Sequence, residues 1–189
     1  MPARKIKRQL PKIASAVLNS RVDIIFPVKM RVVEIILNLM YARQKHFGLF
    51  VIVGWQRKWN EHLDISDSEQ DIFGHHRTNL MNIKKREIKR YAISTTVNFD
   101  GAILINKNGE VLHSGVLIEG LRPKVVAHKI HPGTFKDLSE QFGFKNKVHT
   151  RHLSAITASY IFKNTTVFTV SEEDDSFHIF ERGRILYSS

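Results

Sequence analysis

The sequence predicts an α/β fold in which a mixed central β-sheet is flanked by helices. Three observations carry that expectation. Leu49 to Val53 is a short, unbroken apolar run of the kind that forms a strand buried on both faces. Ile103 to Ile118 reads as a hairpin closed by Asn106-Lys107-Asn108-Gly109, because Asn-Gly supplies the positive φ angles of a tight turn. Thr150 to Phe162 reads as a helix, and it is followed by the strand-like segments Thr165 to Val170, Phe177 to Phe180 and Arg184 to Tyr187, separated by Asp174-Asp175-Ser176 and Arg182-Gly183.

The elements before the first strand are helical. Ile6, Leu10, Ile13 and Val17 recur three or four residues apart and leave Arg4, Lys5, Lys7, Arg8 and Lys12 off the apolar stripe. This pattern predicts an amphipathic helix docked on the domain, with contact to a membrane surface or to nucleic acid as the alternatives. Pro27 opens a second helix, since proline fits the first helical turn. Val32, Ile35, Ile36, Leu39 and Met40 make its buried face, Arg31, Glu34, Asn38 and Arg43 stand outside, and Gly48 is expected to end it. Residues 1–46 are therefore read as an N-terminal helical extension and 47–189 as the main domain.

After the first strand, Trp55-Gln56-Arg57-Lys58-Trp59 interleaves aromatic and basic side chains. Such a stretch can stack bases, but two Trp beside a turn are first a packing feature. Neither His75-His76 nor the pair His128 and His131 has a third ligand at metal-site spacing, so a structural metal site is not expected there. Lys84 to Arg90 is the densest charge run and reads as a solvated helix face, with nucleic-acid binding as the alternative. Glu119 to His149, rich in Pro, Gly, Lys and His, shows no firm periodicity and is expected to be an insertion acting as a lid, a partner surface or a loop.

Composition bounds the function. The 189 residues suit one domain with a substantial core, and 42% hydrophobic with 25% charged residues is ordinary for a globular chain. A formal net charge of +11 makes polyanions the expected neighbours: nucleotides, nucleic acid or an acidic membrane surface. With no cysteine, disulfides and thiolate metal sites are excluded, as suits a cytoplasmic protein. The apolar runs are too short to span a bilayer, and Ile13 to Leu18, interrupted by Ser15, is too short for a signal peptide.

Two stretches carry candidate chemistry. In Phe99-Asp100-Gly101-Ala102-Ile103, a carboxylate and a glycine stand at the mouth of a strand, where the backbone can approach a ligand closely. Thr150-Arg151-His152 sets a hydroxyl, a guanidinium and an imidazole at the start of a helix. There Thr150 can cap, and free amides with an Arg form a seat for phosphates.

Asp100-Gly101-Ala102 followed by a hairpin, Thr150-Arg151-His152 opening a helix, and Val170-Ser171-Glu172-Glu173 closing a strand together resemble the diadenylate cyclase domain, over roughly residues 47–185. The resemblance implies condensation of two ATP into cyclic di-AMP with release of two pyrophosphates, using Mn²⁺ or Mg²⁺. It also implies a homo-oligomer that sets two sites face to face. Carried over, Asp100 becomes the metal-binding or hydroxyl-orienting carboxylate, with Gly101 and Ala102 close to the nucleotide. Thr150, Arg151 and His152 hold phosphates, Ser171 adds a phosphate contact, and Glu172 and Glu173 supply further metal ligands.

The sequence departs from the family pattern at three places. Phe99 stands where the family has His, Leu153 replaces an Arg, and 119–149 is longer than the usual connection. These departures open a second reading, a nucleotide-binding sensor that has lost the cyclase reaction. A basic nucleic-acid-binding domain is a third.

Overall fold

Leu49–Val53 (β1) forms the centre of the sheet with all five residues buried. The computed structural model describes residues 8–20, 22–24, 26–42, 46–65, 69–74, 78–84 and 100–189. Phe99, the pair His75-His76 and the charge run beyond Lys84 lie outside the described residues. The other strands are β2 (Leu63–Asp64), β3 (Thr78–Asn79), β4 (Ala102–Ile105), β5 (Glu110–Ile118), β6 (Thr166–Val170), β7 (Phe177–Glu181) and β8 (Arg184–Ser188). Their order is β2-β5-β4-β1-β6-β7-β8, with β3 also on β5. Among the described residues, β1 is parallel to β4, and every other pairing is antiparallel. The sheet is mixed, as predicted.

Strand alternation sends successive residues to opposite faces and so builds two cores. Leu49, Val51, Val53, Ile103, Ile105, Phe168 and Ile179 face one; Phe50, Ile52, Ala102, Leu104, Val167 and Phe180 face the other. The helices α1 (Leu10–Leu18) and α2 (Phe26–Ala42) cover the first. The second is covered by α3 (Pro123–Ile130), α4 (Leu138–Gln141) and α5 (Thr150–Ile161). The chain is thus a three-layer α/β/α fold.

The N-terminal helices form one of these layers. Ile13 and Val17 are buried, as the three-and-four spacing requires, and Tyr187 Oη donates to Gln9 Oε1 at 2.8 Å. All five apolar residues assigned to the inner face of α2 are buried. Gly48 does not end this helix, which stops at Ala42; the glycine stands instead immediately before β1. The hairpin forms as its turn chemistry demands: Gly109 has φ +87, and Asn106 Oδ1 accepts from the amides of Asn108 and Glu110.

Residues 119–149 are more ordered than a lid or loop. Pro123 sits in the first turn of α3, and Val126, Ala127, Phe142 and Phe144 are buried in the second core. Trp55 takes the packing role: it is buried, lies edge-on to Phe162 at 4.8 Å, and donates from Nε1 to Asn60 Oδ1 at 3.1 Å. Among the described residues, no helix is long and apolar enough to cross a membrane.

Candidate functional site

The register gathers the three motifs at one end of the sheet. Val51 pairs with Ile103 in parallel and Leu49 with Val170 in antiparallel register, so Gly48 and Asp100, before β1 and β4, and Ser171, after β6, lie toward the same end of the sheet. The first turn of α5 reaches this end of the sheet, because the Arg151 guanidinium rests on Gly48. A Cβ built on Gly48 would fall 1.8 Å from Arg151 Nη1. The missing side chain at position 48 is what admits Arg151.

Arg151 is held loosely on its other side, with Nη1 3.7 Å from Glu172 Oε2, and it keeps partial exposure. That geometry leaves the guanidinium available for a bidentate anion. Thr150 is exposed and is the first helical residue. The cap position expected of it belongs to His149, whose backbone is still extended and whose side chain makes no capping bond. His149 Nε2 pairs instead with Glu173 Oε2 at 2.8 Å. A helix start without a side-chain cap leaves amide donors open to an anion.

The β6–β7 connection is a tight acidic turn. Ser171 is buried; its amide donates to Ser176 O at 2.9 Å, and its Oγ accepts from Glu173 N at 3.2 Å. Glu172 and Glu173 are exposed. Burial raises the Asp174 carboxyl, but the backbone and hydroxyl of Ser176 and the hydroxyl of Ser171 outweigh it and hold the group below its ordinary range. Asp175 Oδ2 reaches His46 Nδ1 at 2.8 Å, tying the turn to the segment before β1.

On the opposite flank, Asp100 is exposed. Gly101 has φ +98, and a Cβ there would lie 2.6 Å from Val116 O, so its glycine is required by the neighbouring strand β5. Ala102 is fully buried in the second core, which leaves only its backbone to meet a ligand. Among the described residues, no three His, Asp or Glu side chains are gathered closely enough to hold a metal ion.

His152 lies elsewhere than at the rim. It is 5% exposed and faces inward, edge-on to His178 with ring centroids 4.6 Å apart and to Phe144 at 6.2 Å. Neither of its ring nitrogens has a hydrogen-bond partner among the described residues, and Nδ1 of His178 has none either. Burial is the main cause that lowers the His152 pKa; Asp174 opposes it, while Arg151 and His149 add to it. For His178, burial and then His152 pull the pKa from 6.5 to about 4 against Asp174. His178 was not singled out in the sequence, where it is a lone histidine in a closing strand.

Burial disfavours the charged form of both imidazoles, and this sets the pH dependence. Stability from His178 is fully present above pH 6.5 and is lost as pH falls from 6.5 toward about 4, because only the unfolded chain takes the proton there. The loss amounts to about 3 kcal/mol in all. Urea unfolding at pH 7 and pH 4.5 should show it, and His178→Phe should remove this part of the difference while leaving the part due to carboxylates.

No family model and no curated protein matches the chain by sequence. Among solved structures, the chain is similar to a hypothetical membrane spanning protein from Bacillus cereus, at 17% identity and a TM-score of 0.51. The match covers 85% of this chain and 62% of that one, so the chain spans less than two thirds of that protein. A double cysteine mutant of DacA from Staphylococcus aureus matches at 12% identity and a TM-score of 0.41, over 96% of this chain and 87% of that one. At 17% identity and a TM-score of 0.51, the first of these likenesses extends to the fold and no further.

Proposed function

We propose that the chain is a diadenylate cyclase-type domain, two copies of which face each other and join two ATP into cyclic di-AMP. The observation that carries this reading is the convergence of Asp100, Arg151 on Gly48, and Ser171-Glu172-Glu173 at one end of the sheet. In the reaction, the 3′-hydroxyl of each nucleotide attacks the α-phosphorus of the other. Two P–O bonds to pyrophosphate break, two ester bonds form, and the hydroxyl protons leave to base. Arg151 and the open amides of α5 seat the triphosphate, and Thr150 adds a hydroxyl. Asp100 orients the attacking hydroxyl.

A divalent cation fits the donor chemistry as a shared ligand. Mg²⁺ takes hard oxygens and commonly binds through one or two carboxylates plus substrate phosphates, so a preformed three-residue cage is not needed. Asp100 supplies one such oxygen, and Glu172 and Glu173 lie across the site, engaged with Arg151 and His149. When bound, the cation neutralises charge on the phosphates. With ATP as substrate, the site works in the cytoplasm.

A second reading, a nucleotide sensor without turnover, is favoured by two placements. Leu153 packs against the second core, and His152 is turned inward, so neither offers a charge to phosphates. Calorimetry with ATP and Mg²⁺ tests what the readings share. Arg151→Ala should weaken binding about tenfold or more. Gly48→Ala should do the same, by displacing the guanidinium, with little change in stability. Equal affinity in all three proteins would refute the seat. Binding without product would select the sensor.

A further inference from the structure

The buried pair His152 and His178 is not needed to hold phosphates, and its place suggests another role. Both residues are 5% exposed, and they share their cluster with Phe144 and Phe180. Phe144 belongs to the segment 138–149, which leads from α4 into the first turn of α5. That segment bonds mainly to itself: Phe142 N donates to Leu138 O, Phe144 N to Ser139 O, and Val148 N to Ser139 Oγ. A four-residue helix does not persist on its own, so α4 depends on the packing of Phe142 and Phe144. The link Gln141 Nε2 to His131 O, at 2.8 Å, is exposed.

We propose that His152, His178 and Phe144 form an acid-operated latch, whose protonation releases the 138–149 segment and loosens the first turn of α5. Burying a neutral imidazole pair without hydrogen bonds is costly, but burying an imidazolium beside a second ring and two phenyl groups costs far more. Among the described residues, three charged or titratable groups face the pair. Asp174, from the β6–β7 turn, favours protonation; Arg151 and His149, from the start of α5, oppose it. One carboxylate does not offset burial, so the proton enters with water, when the segment opens.

The consequence is graded. In the open state, His178 regains its ordinary affinity for protons. Between pH 7 and pH 5 its contribution alone raises the opening equilibrium about 20-fold, and His152 raises it further. Opening would unseat Arg151 and Thr150, which follow the segment directly. This last link rests on the nucleotide reading above; the opening itself does not.

Native-state amide exchange on the protein without nucleotide tests the latch. Protection factors, corrected for intrinsic exchange, should fall about 20-fold or more from pH 7 to pH 5 at Phe142, Gly143 and Phe144. Ile52 and Phe168 in the central strands exchange through global unfolding and share its pH dependence, so they should stay far better protected than 142–144 at both pH values. His178→Phe should blunt the local change. If that variant does not fold, NMR titration of the wild-type histidine rings serves instead, with native pKa values for His152 and His178 below 6.5. Unchanged protection at 142–144, or an ordinary pKa in both rings, would overturn the proposal. ATP binding enters neither measurement, so a failed latch and a failed nucleotide site remain distinguishable.

Discussion

Replacing Lys29 with Met will lower stability by about 3–5 kcal/mol, because it breaks a buried ion pair from one side. Lys29 is 1% exposed in α2, and its Nζ lies 3.0 Å from Glu181 Oε1 in β7, which is 4% exposed. The carboxylate is fully engaged: Ser20 Oγ donates to Oε2 and Thr166 Oγ1 to Oε1, each at 2.5 Å, while Lys29 also donates to Ser20 Oγ at 2.6 Å. Removing the ammonium strands a carboxylate in a dry interior, whose charge has no comparable partner. The double variant Lys29→Met/Glu181→Leu should recover much of the loss, since it removes both charges. Thermal and urea unfolding of the two proteins check this. A single variant within 1 kcal/mol of wild type would mean that the pair is solvated.

Gly101→Ala will cost roughly 2–4 kcal/mol and will disturb the site as well. Its φ of +98 disfavours any side chain, and the new methyl would lie 2.6 Å from Val116 O and 2.8 Å from Gly115 C. Both contacts are backbone, so no side-chain rotation relieves them. Strand β5 must separate from the start of β4, breaking the ladder where Ala102 pairs with Val116. Asp100, one residue away, moves with it. The unfolding midpoint should drop, and any nucleotide binding should fall by more than the lost stability explains. A fully stable Gly101→Ala would show that this strand pair yields easily.

The architecture was largely legible because local signals and tertiary demands agree. The run Leu49 to Val53 has no polar residue to assign to a solvent face, so it had to be a central strand. Asn108-Gly109 fixed the hairpin, and Pro27 opened α2 within a residue of its start at Phe26. Residues 119–149 were misread as irregular because α3 and α4 are short. Within this segment Val126 and Ala127 of α3 and Phe142 and Phe144 after α4 are buried in the second core, with Ile130 and Leu138 packed against it. Pro123 followed by Val126 and Ile130 was the available helix signal.

The site was legible in kind more than in detail. Arg151 could be named as a phosphate donor from its position, but its seat on Gly48 depends on a contact between residues about a hundred apart in sequence. Lys29 and His178 carried no signal at all. A lysine on an amphipathic helix is ordinarily solvated, and a histidine among strand residues is unremarkable until its partner across the layer is known. His152 illustrates the converse: the motif drew attention to it, and the fold turned its ring inward.

The measurement that tests the central claim most directly is incubation of the purified protein with ATP and Mn²⁺, followed by chromatography of the products beside Asp100→Asn. The cyclase reading predicts cyclic di-AMP and pyrophosphate from the wild type, and a loss of about 100-fold or more in the variant. Absence of product while ATP still binds in an Arg151-dependent way would contradict the cyclase and leave a sensor. Absence of both would contradict the nucleotide site itself.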